Sequence, residues 1–392
     1  MRVDKSKWQK KTIGQIGKVI SGSTPRTDNP SNWEGGTYNW VTPAELKGDK
    51  YYGSTLKKIT DAALESTNLT LMPIGTVLLS SRAPIGKVAI TTEPMYCNQG
   101  FKNIVCNSSI HNEFLYYYLR YNNDELNRRG NGVTFKEISK KIVEQFPVIV
   151  PSLEEQKGIT SELDAIQTMI DGYKAHISDF DELAKSLFLD TLGDPVINEK
   201  KWQIKSLSSL CNKMSTGPFG SMLHKSDYVV EGIPSVNPQN IKGSKVVIDG
   251  IAKVSYQKAE ELSKYYLKEN DIILARRGDL SKCAIITPKE QGWLCGTGSF
   301  FLHIEEVLPI VFYYQFTSKS IQKQLLEKSI GATMPNLNQG ILSKLMIPVP
   351  PIDIQQKFAS QIEAIEKQKA ILCEQLADAE QLMAERMQYY FS

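Results

Sequence analysis

Apolar or small residues recur at Ile159, Leu163, Ile166, Ile170, Tyr173, Ile177, Phe180, Ala184 and Leu187, in steps that alternate four and three without a break. That rhythm is the seam of a coiled coil, narrower than the apolar face of an ordinary globular helix. A second seam runs through Phe358, Ile362, Ile365, Leu372, Leu376, Ala379 and Met383, with Lys369 at one of its positions. Each seam follows a proline-marked lead-in, Val150-Pro151-Ser152-Leu153-Glu154-Glu155-Gln156-Lys157 and Val349-Pro350-Pro351-Ile352-Asp353-Ile354-Gln355-Gln356. The pattern predicts two long helices, over 151–192 and 351–392. Residues 76–81 and 271–275 are apolar, β-branched runs and predict buried strands. Short aromatic-rich helices are expected over 112–121 and 309–318; the stripe Phe114, Tyr117, Tyr118 reads as core rather than as a stacking platform.

These elements come in two copies. Trp8-Gln9 matches Trp202-Gln203, and Val41-Thr42-Pro43-Ala44-Glu45-Leu46-Lys47-Gly48 matches Val236-Asn237-Pro238-Gln239-Asn240-Ile241-Lys242-Gly243. Gly75 to Arg82 matches Asn270 to Arg277, Lys87-Val88-Ala89-Ile90 matches Lys282-Cys283-Ala284-Ile285, and Gln99-Gly100-Phe101 has a looser counterpart in Thr297-Gly298-Ser299-Phe300. A period near 200 is too long for a solenoid, so the chain reads as a domain duplicated. The copies agree in apolar frame and diverge in the polar residues between, as one scaffold carrying two surfaces would. The segments are 1–150 and 193–350, globular, and 151–192 and 351–392, helical spacers.

The net charge of +3 over 392 residues conceals an uneven distribution. Residues 1–150 carry 20 Lys and Arg against 13 Asp and Glu, and 193–350 carry 19 against 14. The helical stretches reverse this, 3 against 9 in 151–192 and 4 against 7 in 351–392. Two basic domains with acidic spacers suit a bipartite polyanion binder, although soluble domains also carry spare lysines. No apolar run approaches 18 residues and no signal-peptide pattern is present, so a soluble, cytoplasmic protein without a membrane role is expected. The six cysteines form no C-x-x-C pair and no zinc-like spacing with histidine, and are read as reduced thiols. There is no Walker A run and no H-E-x-x-H; the bare Gly296-Thr297-Gly298 lacks the strand–turn–helix that would make it a phosphate loop. An Asn-Pro-Pro-aromatic or Asp-Pro-Pro-Tyr tetrapeptide is missing; Gly193-Asp194-Pro195 is its nearest approach and reads as a helix stop. His111, His176, His224 and His303 are scattered. The set describes a protein that binds and positions without performing chemistry.

Candidate contact residues fall at matching points of the two copies. Each buried strand ends in arginine, Arg82 in the first copy and Arg276-Arg277 in the second, and a guanidinium at a strand end suits phosphate or guanine; pairing with a neighbouring carboxylate is the alternative. Thr24, Arg26, Thr42 and Lys87 join Arg82 in the first copy; Ser221, Asn237, Gln239 and Lys282 join the arginines in the second. Two polar loops precede the long helices: one from Arg128 to Thr134, the other from Gly331 to Asn338 with Thr333 and Asn336. Asn, Gln and Thr on such loops read base edges or serve turn chemistry. Beside the seams, Glu162, Asp164, Lys174 and Gln361 are expected to face partner subunits.

Two basic domains, each followed by a long acidic heptad helix with a lead-in such as Pro151 to Gln156, the Gly193-Asp194-Pro195 exit, the element Trp40 to Gly48 with its copy, and Gly217-Pro218-Phe219-Gly220-Ser221 followed by Asp227-Tyr228, resemble the specificity subunit of type I restriction–modification systems. The resemblance covers nearly the whole chain and rests on several weak motifs in one order, twice. It implies an α+β protein: two homologous globular α/β target-recognition domains separated by two long antiparallel coiled-coil helices. It further implies that each domain reads one half of a split, asymmetric site in double-stranded DNA. The helices would act as a ruler and dock methyltransferase subunits, two in number, with restriction/translocase subunits joining them. No cofactor is implied on this chain; S-adenosylmethionine, ATP and Mg would sit on partner subunits. A helix of 40 residues spans about 60 Å, enough for half-sites roughly one duplex turn apart, about 34–36 Å. The competing readings are a single-chain DNA-modifying or DNA-cleaving enzyme with two recognition domains, and a scaffold with no nucleic-acid role.

Overall fold

The computed structural model describes residues 3–82, 84–130, 136–329 and 336–392, without the side chains of Ser221 and Lys225. Its contacts divide it into two units, Met1–Lys174 with Glu374–Ser392, and Ala175–Cys373. The long helices are Leu153–Leu192 and Ile352–Phe391, forty residues each. Both unit boundaries therefore fall inside them, and each unit holds one stretch of each helix.

In the first unit the strands are β1 (Gln9–Thr12), β2 (Gly17–Ser21), β3 (Tyr38–Val41), β4 (Tyr51–Tyr52), β5 (Lys57–Ile59), β6 (Val77–Leu79), β7 (Val88–Thr91), β8 (Tyr96–Cys97), β9 (Lys102–Cys106) and β10 (Pro147–Val150). They form a β1-β10 pair, a five-stranded sheet β2-β9-β6-β7-β4 and a three-stranded sheet β5-β3-β8. β6 and β7 are buried on both faces, which is why they read as continuous apolar runs rather than as alternation. Residues 12–20, whose alternation is weak, divide into a strand end, a single helical turn at Ile13–Ile16 and β2. The aromatic helix occupies Asn112–Tyr121 as expected, with Phe114, Tyr117 and Tyr118 in the core. A further helix, Asn123–Arg128, follows it, so Arg128 closes a helix instead of opening a loop.

The second unit repeats this plan. Its strands are β11 (Gln203–Ser206), β12 (Cys211–Thr216), β13 (Tyr228–Val229), β14 (Ile233–Val236), β15 (Ile241–Lys242), β16 (Lys245–Val246), β17 (Ala252–Val254), β18 (Ile272–Ala275), β19 (Cys283–Ile285), β20 (Leu294–Cys295), β21 (Ser299–Ile304) and β22 (Met346–Val349). The sheets β11-β22, β12-β21-β18-β19 and β13-β17-β14-β20 correspond to those of the first unit, with β15-β16 as a separate hairpin. A parallel pair recurs too: Trp40 lies beside Tyr96, and Ser235 beside Leu294, whereas the parallel β4-β7 pairing has no counterpart among the described strands. The predicted 309–318 helix ends at Thr317, and a second one, Lys319–Lys328, follows it across the N-cap Ser318.

Within each unit the seams close on one another. Ile159, Leu163, Ile166 and Ile170 share a core with Ala379, Met383, Tyr390 and Phe391 in the first. Ala184, Phe188 and Leu192 share one with Phe358, Ile362 and Ile365 in the second. Polar pairs fix the sense. Glu162 binds Arg386 while Lys174 meets Glu380 at 2.9 Å, and in the second unit Asp181 meets Lys369 at 2.5 Å while Phe188 packs on Phe358. Numbers rise on one helix as they fall on the other, so the pairing is antiparallel in both. This leaves little of the expected outward face at Glu162 and Asp164. Glu162 accepts from Tyr390 as well as Arg386, and Asp164 accepts from Lys50 and from the Tyr117 hydroxyl, at 2.6 Å each. Lys174 is half exposed in its pair, and Gln361 is exposed.

The lead-ins match because each carries a buried glutamine. Gln156 accepts the His111 N–H at 2.7 Å and donates to the carbonyls of Ser109 and Pro151. Gln355 accepts the Leu308 N–H at 2.8 Å and donates to those of Glu306 and Pro350. Each amide stitches the start of a long helix to the loop before the aromatic helix, satisfying backbone groups that burial would otherwise strand. Gly193, at φ +78°, ends the first long helix, and the Asp194 carboxylate accepts the N–H groups of Val196 and Ile197, so Gly193-Asp194-Pro195 is the turn its sequence suggests.

Candidate nucleic-acid interface

In the first unit the candidates lie on the loops after β2 and β3 and at the ends of β6 and β7. The Thr24 hydroxyl is bonded to the Gln99 side chain. Arg26 fixes its own loop through its carbonyl, which accepts from Asn32 Nδ2 and Trp33 Nε1 at 3.0 Å each. Its guanidinium is exposed and has no partner among the described residues. The Thr42 N–H and hydroxyl both donate to Glu45 Oε1, at 2.8 and 2.9 Å, a capping arrangement. Asn237 repeats it in the second unit: its N–H donates to Asn240 Oδ1 and its own amide to the Ser235 carbonyl. Gln239 is exposed and reaches the Gly250 carbonyl at 3.4 Å. Thr42 and Asn237 thus each hold the turn that they open.

Lys87 and Lys282 make one contact twice. Lys87 Nζ donates to the Pro43 carbonyl at 3.0 Å, Lys282 Nζ to that of Pro238 at 2.9 Å. Each ties a strand start to the proline loop, and two ammonium protons remain for another acceptor. Lys87 also lines a cleft with Lys47 and Arg120, and Arg120 lies over the Tyr116 ring while donating to its hydroxyl at 2.9 Å.

The strand-end arginines differ most. Arg82 is half exposed, and its Nε donates to Glu137 Oε2 at 3.0 Å. The other Glu137 oxygen lies 3.5 Å from the Lys102 ammonium, which is only 7% exposed and donates to the Ser81 hydroxyl. Burial lowers the Lys102 pKa; the Glu137 carboxylate opposes that shift. Arg277 is exposed with no side-chain partner among the described residues; Arg276 is half-buried. Arg128 pairs with Glu125 one turn earlier on its helix at 3.0 Å. Thr134 and Thr333 lie outside the described residues, as does the side chain of Ser221, and Asn336 borders one of those gaps.

Sequence reasoning missed Glu137, Lys102, Lys50 and Arg120. Lys50 sits among the rings of Tyr51, Tyr116 and Tyr117 with Asp164 and Glu113 on its ammonium. It holds the first unit's strands against its stretch of long helix. A count of lysines cannot separate such buried cations from those facing solvent. Among the described residues no group of three His, Cys, Asp or Glu could hold a metal ion, the six cysteines are unpaired, and no helix is long and apolar enough to cross a membrane.

The described scaffold has known relatives. The family described as "Type I restriction modification DNA specificity domain" matches residues 5–178 and again 199–381. The chain is 27% identical to the type I restriction enzyme MjaIX specificity subunit of Methanocaldococcus jannaschii, over 91% of this chain and 86% of that one. To the MjaVIII specificity subunit of the same organism it is 22% identical, over 92% and 86%. In fold it resembles the type I restriction–modification S subunit from M. genitalium, with TM-score 0.56 at 15% identity, over 99% of this chain and 97% of that one. It also resembles a chain from a structure described as the basis of complex assembly and conformational transition of the type I R-M system, with TM-score 0.63 at 16% identity, over 98% and 97%.

Proposed function

Because the chain belongs to the type I restriction–modification DNA specificity family, with one match in each half, we propose that its two units each read one half of a split, asymmetric site in double-stranded DNA. The observation that carries this reading is the divergence of polar corners on one backbone. Thr42, Ala44 and Glu45 in the first unit stand where Asn237, Gln239 and Asn240 stand in the second, on a turn capped in the same way. Two scaffolds alike in strand pairing and unlike at the strand ends suit two different sequences. The residues proposed for contact are Arg26, Arg128, Gln239 and Arg277, whose side chains reach solvent, with Thr24, Lys87 and Lys282 beside them. The long helices, on this reading, set the gap between the half-sites and offer surface to methyltransferase subunits. Restriction subunits would complete the assembly, working in the cytoplasm. S-adenosylmethionine, ATP and Mg would belong to those partners, and this chain would perform no chemistry itself.

Reconstitution with the modification subunits, followed by mapping of methylated bases, tests the proposal. Two short, dissimilar blocks separated by an unread gap are expected; one contiguous or palindromic site would overturn it. The purified chain alone, given DNA, Mg and methyl donor, should turn nothing over.

A further inference from the structure

One corner of the scaffold carries opposite electrostatics in the two units. The Ser81 N–H donates to the Gly100 carbonyl at 2.7 Å, and the Arg276 N–H to that of Gly298 at 2.9 Å. The Ile138 N–H donates to the Ser81 carbonyl at 2.9 Å, and the Leu337 N–H to that of Arg276 at 3.0 Å. Arg82 faces Glu137 across an antiparallel bridge, as Arg277 faces Asn336. On the neighbouring strands, Lys102 lies opposite Ser21 and Phe300 opposite Thr216. So Arg82 corresponds to Arg277, Glu137 to Asn336, and Lys102 to Phe300.

In the first unit these charges close on each other, since Glu137 gives one oxygen to Arg82 and the other to Lys102. The second unit has two adjacent guanidiniums and, among the described residues, an asparagine instead of the carboxylate at that place. Among the described residues, Arg276 Nε is buried with no hydrogen-bond acceptor, and Asn336 Oδ1 is buried with no donor. A buried donor on a charged group is costly to leave unmet, more so than a neutral one. An anion lodged in the corner would meet it, and the Asn336 amide can present either end to that anion. We infer that the Arg276–Arg277–Asn336 corner of the second unit seats a DNA backbone phosphate, whereas the matching Arg82–Glu137–Lys102 corner of the first is a closed ion pair that touches no phosphate. This rests on the DNA-recognition reading above. A phosphate fits better than a base edge because the corner offers charge on two consecutive residues, and charge is what phosphate binding uses.

The test is the salt dependence of binding by the full chain to a short duplex of random sequence. Arg277→Ala should weaken binding and lower the slope of log affinity against log salt by about one. Asn336→Glu, which copies the first unit's carboxylate, should do the same, and Arg277→Lys should keep the slope. Arg82→Ala should leave the slope unchanged. Glu137→Gln should raise it by about one, by releasing Arg82 and Lys102. Thermal midpoints identify any variant that fails to fold, and Glu137→Gln remains decisive because its effect is a gain. Equal losses from Arg82→Ala and Arg277→Ala would overturn the inference while leaving DNA recognition intact. So would an unchanged slope with Arg277→Ala accompanied by loss at one half-site alone, the mark of a base contact. Failure of the unaltered chain to bind any duplex would remove the DNA reading itself, and this inference with it.

Discussion

Gln156 and Gln355 show how much one buried amide can organise. Each has three backbone partners, and each residue is 1% exposed or less. Gln156→Leu keeps the bulk and removes every bond, leaving the His111 N–H and two carbonyls short of a partner. At about 1–3 kcal/mol per stranded group, it should cost several kcal/mol, read as a lower urea midpoint. Gln355→Leu should do the same to the second unit, and an unshifted midpoint in either would show that water replaces the amide. The glutamines were legible as part of a repeated lead-in, but their role was not, because two of the three groups each satisfies lie 45 to 49 residues away in sequence. The contact residues illustrate the same limit. Arg82 and Arg277 look alike in the chain. Only the strand pairing reveals that one meets a glutamate and the other an asparagine.

The long helices were the most legible elements. A four–three rhythm holds only if one stripe faces one partner, and Leu153–Leu192 and Ile352–Phe391 begin within two residues of the predicted positions. What the rhythm omits is the chemistry beside it. Burial would raise the Glu162 pKa, but the Tyr390 hydroxyl and the Arg386 guanidinium outweigh it and hold the carboxyl below its usual range. A carboxyl with a depressed folded pKa adds stability above its ordinary pKa and loses it as pH falls through the folded value. The unaltered chain should therefore exceed Glu162→Gln in denaturant midpoint at pH 7. The gap, about 0.5–1 kcal/mol for a part-exposed pair, should begin to close as pH drops below 4.5, the reference value, and vanish once pH has passed below the folded value. A difference that persists in acid would assign the effect to packing. Lys369, the one charge in the second seam, is held by Asp181 and Glu366. Lys369→Leu should raise the thermal midpoint while loosening the register, since a polar seam residue trades stability for a defined alignment. Cysteines placed at 174 and 380, where the two helices also meet through an ion pair, would then cross-link in lower yield.

For the molecule as a whole, the duplication could be read from the chain because apolar frames tolerate little change, while the polar corners between them vary freely. The proposed ruler makes a prediction at this scale. The seam is least buried around Tyr173–Phe180 and Lys369–Leu376, where the two units meet in sequence. One heptad added to each long helix there lengthens it by about 10 Å, close to three base pairs. The mapped site should keep both half-sites and gain a wider gap; an unchanged gap in a folded, methylation-competent variant would remove the ruler. The partition of the helices also bears on synthesis. Phe391 packs against Phe114, Tyr118 and Tyr121, and Tyr390 lies in the same core. Every residue of the second unit leaves the ribosome before these do. The half of the protein made first is thus the half finished last, and its hydrophobic seat for residues 374–392 stays open while the later half folds. A released chain that ends at Cys373 should already protect the second unit from protease, and leave the first one cleavable.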